Sequence, residues 1–100
     1  MNTYNNIIRS VLKNDNKIVI FVSYNCPYCI RALHILKYHK IPSNIHDIDK
    51  INGGLDKILD KLNEDPKATG FDPNHTTKPV IFENGKFIGG CSELEAKYPS

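Results

Sequence analysis

The chain has 100 residues, 40% of them hydrophobic and 24% charged, with a formal net charge of +2. That length suits one domain around one core, and the composition is that of a soluble globular chain. A charge so near balance, with scattered lysines, leaves no footprint for nucleic acid, and the longest apolar run, "IVIFV" at 18–22, is far too short to span a membrane.

The opening "MNTYNNIIRS" lacks the basic, apolar and small-residue order of a secretory signal, so the expected location is cytoplasmic. In that compartment a lasting disulfide scaffold is disfavoured, and three cysteines are an odd number for one.

In chain order, Tyr4, Ile7, Ile8, Val11 and Leu12 recur at helical spacing. "KIVIFV" (17–22) is continuous, apolar and β-branched, which predicts a strand buried on both faces. Pro27 opens a second helix running to about Tyr38, where "HKIP" stops it. "SNIHDID" (43–49) reads as a short strand. Gly53 and Gly54 precede a helix with Leu55, Ile58, Leu59 and Leu62 on one face. "NEDPKATGFDPNHTT" (63–77), with two prolines and several turn formers, reads as loop. In "KPVIFENGKFIGG" (78–90) two β-rich runs flank Asn84-Gly85, the preferred pair for a tight hairpin turn, and a last helix is predicted from Ser92.

The order α-β-α-β-α-β-β-α predicts a single α/β domain over residues 1–100. A helix joins the first two strands, so they should be parallel with a right-handed crossover, and the hairpin makes the sheet mixed.

The chemistry sits in "VSYNCPYCIRA" (22–32). A cysteine attacks as thiolate, which an ordinary thiol supplies sparingly at neutral pH. Cys26 should lie at the mouth of the second helix, where unpaired N–H groups and the macrodipole favour an anion. Cys29, three residues on and on the same side, can reach the first sulfur and displace a bound partner. Pro27 has no N–H to lose in that turn. A zinc site would need four ligands, and only Cys91 and the unpaired His34, His39, His46 and His75 remain. The pair reads as a redox couple. The histidines read as solvated or capping groups and receive no role.

"CPYC" after a buried strand, followed by "TTKPVIF" and "GKFIGGCSELEAKY", closely resembles the dithiol glutaredoxins, in order along nearly the whole chain. The resemblance implies a thioredoxin-like fold, a four-stranded mixed sheet flanked by helices. It also implies glutathione-dependent reduction of protein disulfides and glutathione mixed disulfides, with Cys26 as nucleophile, Cys29 as resolving thiol and a Cys26–Cys29 disulfide in the oxidised state. Thr77, Lys78 and Pro79 match the family's Thr-Val-Pro, whose proline is cis and whose middle residue pairs its backbone with glutathione. Pro79 cannot donate a ladder bond and belongs at a strand start or edge, where a peptide-like ligand could pair. Gly89 and Gly90 let backbone come close, and the N–H groups of Cys91 and Ser92 at a helix start suit the γ-glutamyl carboxylate. Glu93 stands where the family usually has Asp, and Tyr28 should line the groove. Cys91 should contribute only backbone.

Other departures bear on glutathione affinity and substrate preference. Ser23 stands where the family usually has Lys, Lys78 replaces Val, the stretch 64–76 is longer than usual, and the chain stops ten residues after Gly90, as in some phage and viral glutaredoxins. Lys78 is the candidate to supply the cation that Ser23 cannot. The expected partners are glutathione and disulfide-bearing or glutathionylated proteins, ribonucleotide reductase among the family's, with no nucleic acid, no membrane, no metal and a monomeric state. Two other functions compete: a thioredoxin-like carrier recharged by a reductase protein, and an iron–sulfur module held through Cys26 and glutathione. Pro27 weighs against the second, because cluster-binding relatives tend to have Ser or Gly there.

Overall fold

A computed structural model of the chain describes residues 3–13 and 16–99, with side chains from Ile7 onward, so the expected contribution of the Tyr4 side chain lies outside the described residues. Helix α1 (Thr3–Leu12) leads into strand β1 (Ile18–Val22), then helix α2 (Pro27–Tyr38), strand β2 (Ser43–Asp47) and helix α3 (Gly54–Glu64). A short helix α4 (Pro66–Thr69), the hairpin β3 (Val80–Glu83) and β4 (Lys86–Gly89), and helix α5 (Cys91–Lys97) complete the order.

The strands form one sheet in the order β2-β1-β3-β4. β1 and β2 run parallel, as a helical crossover requires, and β3 is antiparallel to both β1 and β4. Alternation along β1 divides the core. Ile18, Ile20 and Val22 face α2 and α5, while Val19 and Phe21 face the side of α1, α3 and α4. All five are fully or almost fully buried, which is why the strand reads as one unbroken apolar run. Burying a side chain of this kind stabilises by about 1.5–3 kcal/mol relative to leaving it exposed. At the hairpin, Asn84 and Gly85 both take positive φ, +52° and +81°, the pair that matches strand twist in a two-residue turn.

Three local expectations change. The second strand ends at Asp47 rather than running to 49: the Asp47 carboxylate accepts the Asp49 N–H at 3.0 Å and turns Ile48–Lys50 into 3-10 helix. The stretch expected as loop contains α4, with Pro66 at its first position and Gly70 after its end at φ +74°. The Gly70 and Phe71 N–H groups both return to the Pro66 carbonyl, which drives Phe71 into the core. The last helix begins at Cys91, one residue early.

Helix α5 is fastened to the far end of β3 by Glu83. Its carboxylate accepts from Lys97 Nζ and Tyr98 Oη, and Lys17 Nζ lies 3.4 Å away. Burial alone would raise this carboxyl, but the Lys97, Tyr98 and Lys17 donors outweigh it and hold the group below the ordinary 4.5. A folded-state pKa below the unfolded one stabilises above the unfolded value, and that stabilisation is lost as pH falls through the folded value. Glu83→Gln should therefore cost about 1–3 kcal/mol at pH 7. Chemical denaturation from pH 7 to pH 3 should show a smaller acid-side loss below pH 4.5 in the variant than in the wild type.

Candidate active site

The path from β1 to α2 sets the dithiol. β1 ends at Val22, Ser23 to Asn25 turn the chain with the Cys26 N–H donating to the Ser23 carbonyl at 3.2 Å, and Pro27 starts the helix. Cys26 takes the N-cap with extended backbone (φ −109°), and its sulfur accepts the Cys29 N–H at 3.3 Å. A thiol or thiolate thus fills the position usually held by a hydroxyl or carboxylate cap.

The two cysteines differ in exposure. Cys26 is 7% exposed and Cys29 0%. Burial, then the interaction with Cys26, pushes the Cys29 thiol up to about 12, against the opposing pull of the Ser23 N–H, which donates to Cys29 Sγ at 3.5 Å, and the Lys78 charge. Cys29 is therefore a thiol at neutral pH in the reduced protein. Cys91 packs into the same apolar cluster as Cys26 and Cys29, and burial raises its thiol too, with Arg31 opposing.

Beside this cluster runs a groove of about 350 Å³, lined by Tyr28, Thr77, Lys78, Pro79, Gly90, Cys91, Ser92 and Glu93 together with His75. Every groove residue expected from the sequence stands on this one surface. Tyr28 is 67% exposed and forms a wall next to the dithiol. The Lys78–Pro79 peptide is cis, and Pro79 directly precedes β3. A wider hollow of about 630 Å³ is lined by Val11, Leu12, Asn16, Lys17, Pro42, Asn84 and Gly85, and among the described residues it includes no cysteine and no titratable group but Lys17.

The opposite edge of the groove turns on two glycines. Gly89 sits at φ +125°, after an irregularity in the β3–β4 register, and a Cβ there would collide with the Glu93 side chain. That side chain folds back so that Glu93 Oε1 accepts the Gly90 N–H at 2.7 Å. Glu93 is thus spent on closing the turn into α5, a capping role that its placement in the groove does not reveal from sequence.

Ser23, which takes the place of the expected lysine, is 0% exposed. Its Oγ lies 2.8 Å from Asp49 Oδ2 and 2.6 Å from the Asn25 side-chain amide. Ser23 Oγ is the donor, and its one proton stands between two acceptors, Asp49 Oδ2 and Asn25 Oδ1. The position is absorbed into the support of the dithiol turn and carries no charge toward the groove. No local pattern points to Asp49, because nothing in local spacing joins positions 26 apart.

Two of the histidines depart from the expectation of solvated or capping groups, while His34 is exposed and His39 caps the end of α2. His46 stacks on Phe21 with ring centroids 4.9 Å apart, and burial lowers its pKa. His75 stands in the groove.

Comparison with known proteins agrees with this geometry. A family model described as Glutaredoxin matches residues 18–88. The chain is 48% identical over 80 residues to the "Probable glutaredoxin" of Acanthamoeba polyphaga mimivirus, covering 80% of this chain and 74% of that one. Among solved structures it is similar to the dithiolic glutaredoxin 2-C-Grx1 of Trypanosoma brucei brucei, at 35% identity and TM-score 0.62, covering 96% of this chain and 86% of that one. It is also similar to buckwheat glutaredoxin in its glutathione complex, at 27% identity and TM-score 0.70, covering 94% and 80%. With a dithiol at the strand-to-helix junction and a match spanning most of its length, the chain belongs to the glutaredoxin family of glutathione-dependent thiol-disulfide oxidoreductases.

Proposed function

We propose that Cys26 is the attacking thiol, Cys29 the resolving thiol, and the groove between Thr77–Pro79 and Gly90–Ser92 the seat of glutathione. The observation that carries this reading is the Cys29 N–H donating to Cys26 Sγ at 3.3 Å, with the more exposed of the two cysteines held at the helix start. The Cys26 thiolate attacks one sulfur of a protein–glutathione mixed disulfide. The S–S bond breaks, the protein leaves as thiolate and takes a proton from water, and Cys26 becomes joined to glutathione. A second glutathione thiolate then attacks the glutathione sulfur, releasing glutathione disulfide and the Cys26 thiolate.

With a protein disulfide, Cys26 first forms a mixed disulfide with the protein. Cys29 loses its proton and attacks the Cys26 sulfur, the protein leaves as a dithiol, and two glutathiones reduce the Cys26–Cys29 disulfide. Burial holds Cys29 as a thiol, while the part of its shift that comes from Cys26 itself disappears once Cys26 is in a disulfide. The one-thiol route needs no such proton loss, so glutathionylated proteins are the favoured substrate class at neutral pH.

Lys78 lines the groove, and its charge reaches Cys29, which supports it as the cation standing in for the lysine absent at Ser23. One carboxylate of glutathione is assigned to the Cys91–Ser92 start of α5 and the other to the Lys78 side.

Turnover of a glutathionylated substrate with glutathione and glutathione reductase, against the same assay with thioredoxin reductase, tests the reading. Turnover with the first alone is expected, and turnover with the second alone would favour a thioredoxin-like carrier. Cys26→Ser should abolish turnover, whereas Cys29→Ser should retain reduction of glutathionylated substrates and lose most activity on protein disulfides. Resolution in the wild type should speed up as pH rises above 7, because the buried Cys29 must deprotonate before it attacks. Lys78→Val should raise KM for glutathione roughly two- to fivefold at low salt and less at high salt, as an exposed ion pair does. A KM that stays fixed at low salt would remove Lys78 from the ligand site.

A further inference from the structure

One groove side chain takes no part in the dithiol chemistry. His75 Nε2 lies 3.2 Å from the Pro79 carbonyl oxygen. A carbonyl only accepts, so Nε2 carries the proton and donates. The same ring lies against Gly90 on the other edge of the groove: a Cβ there would stand 3.3 Å from His75 Cε1 and 3.4 Å from the Pro79 oxygen. The Pro79 carbonyl, the Gly90 backbone and the His75 ring therefore meet at one point, where a side chain at position 90 would sit tight against both.

The ring is held from behind. Its centroid is 5.1 Å from Phe87 and 6.4 Å from Phe71, both in edge-on arrangements. Its backbone is held as well, with the His75 N–H donating to the Asp72 carbonyl and the Asn74 N–H to Asp72 Oδ1, each at 2.9 Å. Phe71 is buried in the core and α4 sits directly before it, so the long connection from α3 to β3 is a folded arm that ends at this ring.

We infer that His75 is a positioning residue for glutathione: the 65–76 arm brings its Nε2–H to the Pro79 carbonyl, and that donated bond holds the Pro79 edge at its spacing from Gly90. The inference rests on the glutathione reading above. A ligand that pairs with the Lys78–Pro79 edge and also places a carboxylate at the Cys91–Ser92 edge binds well only if those edges are already at the right spacing. Loosening them adds an ordering cost to binding without touching the sulfur chemistry at Cys26. That loss appears in KM rather than in kcat.

Packing alone would make a different prediction, since a phenyl ring fills the same space against Phe71 and Phe87. His75→Phe keeps a ring and removes the donor, and His75→Gln keeps an N–H at similar reach and removes the ring. With wild-type, His75→Phe and His75→Gln proteins assayed over a range of glutathione, His75→Phe should raise KM roughly five- to tenfold while kcat changes less than about twofold. His75→Gln should recover to within about twofold of the wild-type KM. A wild-type KM in His75→Phe overturns the inference, as does a parallel loss of kcat with a lowered melting temperature. A His75→Gln protein as poor as His75→Phe overturns it too, because the donated bond would then not be the cause. If the wild-type chain reduces substrate with dithiothreitol but not with glutathione, the underlying reading fails and this inference fails with it.

Discussion

The Cys29 amide can reach the Cys26 sulfur only because α2 starts within one residue of that sulfur, close on the end of β1. That spacing ties the chemistry to the core. β1 is central in the sheet and buried along its whole length, so the turn that follows it is fixed at its origin. Pro27 gives the helix a first residue that needs no hydrogen bond, and Cys26 takes the cap position that remains. Moving the helix start by one residue would take the Cys29 N–H away from the Cys26 sulfur.

The turn itself is supported from below by polar groups that do no chemistry. Ser23 is fully buried, and its backbone and hydroxyl reach Cys26, Cys29, Asn25 and Asp49. A lysine could not occupy this buried position with its charge unpaired at tolerable cost. The space beneath the dithiol is filled by a hydroxyl network, and Lys78 lines the groove from the entry to β3. A polar side chain does similar work across the groove, where Glu93 closes the turn at Gly90.

Much of this was legible in the sequence wherever a short local pattern had one physical solution. The unbroken run at 18–22 admits a strand buried on both faces, Asn84-Gly85 admits a tight hairpin, and a proline after Cys26 admits a helix start. The groove residues were reached through the family resemblance, and all of them stand on one surface. What could not be read were features made by tertiary contact. The helix α4 is four residues long, too short for periodicity, although Pro66 and Gly70 at its ends were a signal. The Ser23–Asp49 bond joins two segments through the end of the sheet, and His75 reaches the groove only because Phe71 is buried behind it.

In the proposed complex glutathione lies across the groove with its sulfur joined to Cys26. That placement is tested most directly by amide chemical shifts of the Cys29→Ser protein before and after its conversion to the glutathione mixed disulfide. The largest changes are expected at Lys78, Gly90, Cys91 and Ser92, with smaller ones along α2. Unmoved amides at those four positions, with the changes gathered instead along β2 or at glutathione attached to Cys91, would contradict it.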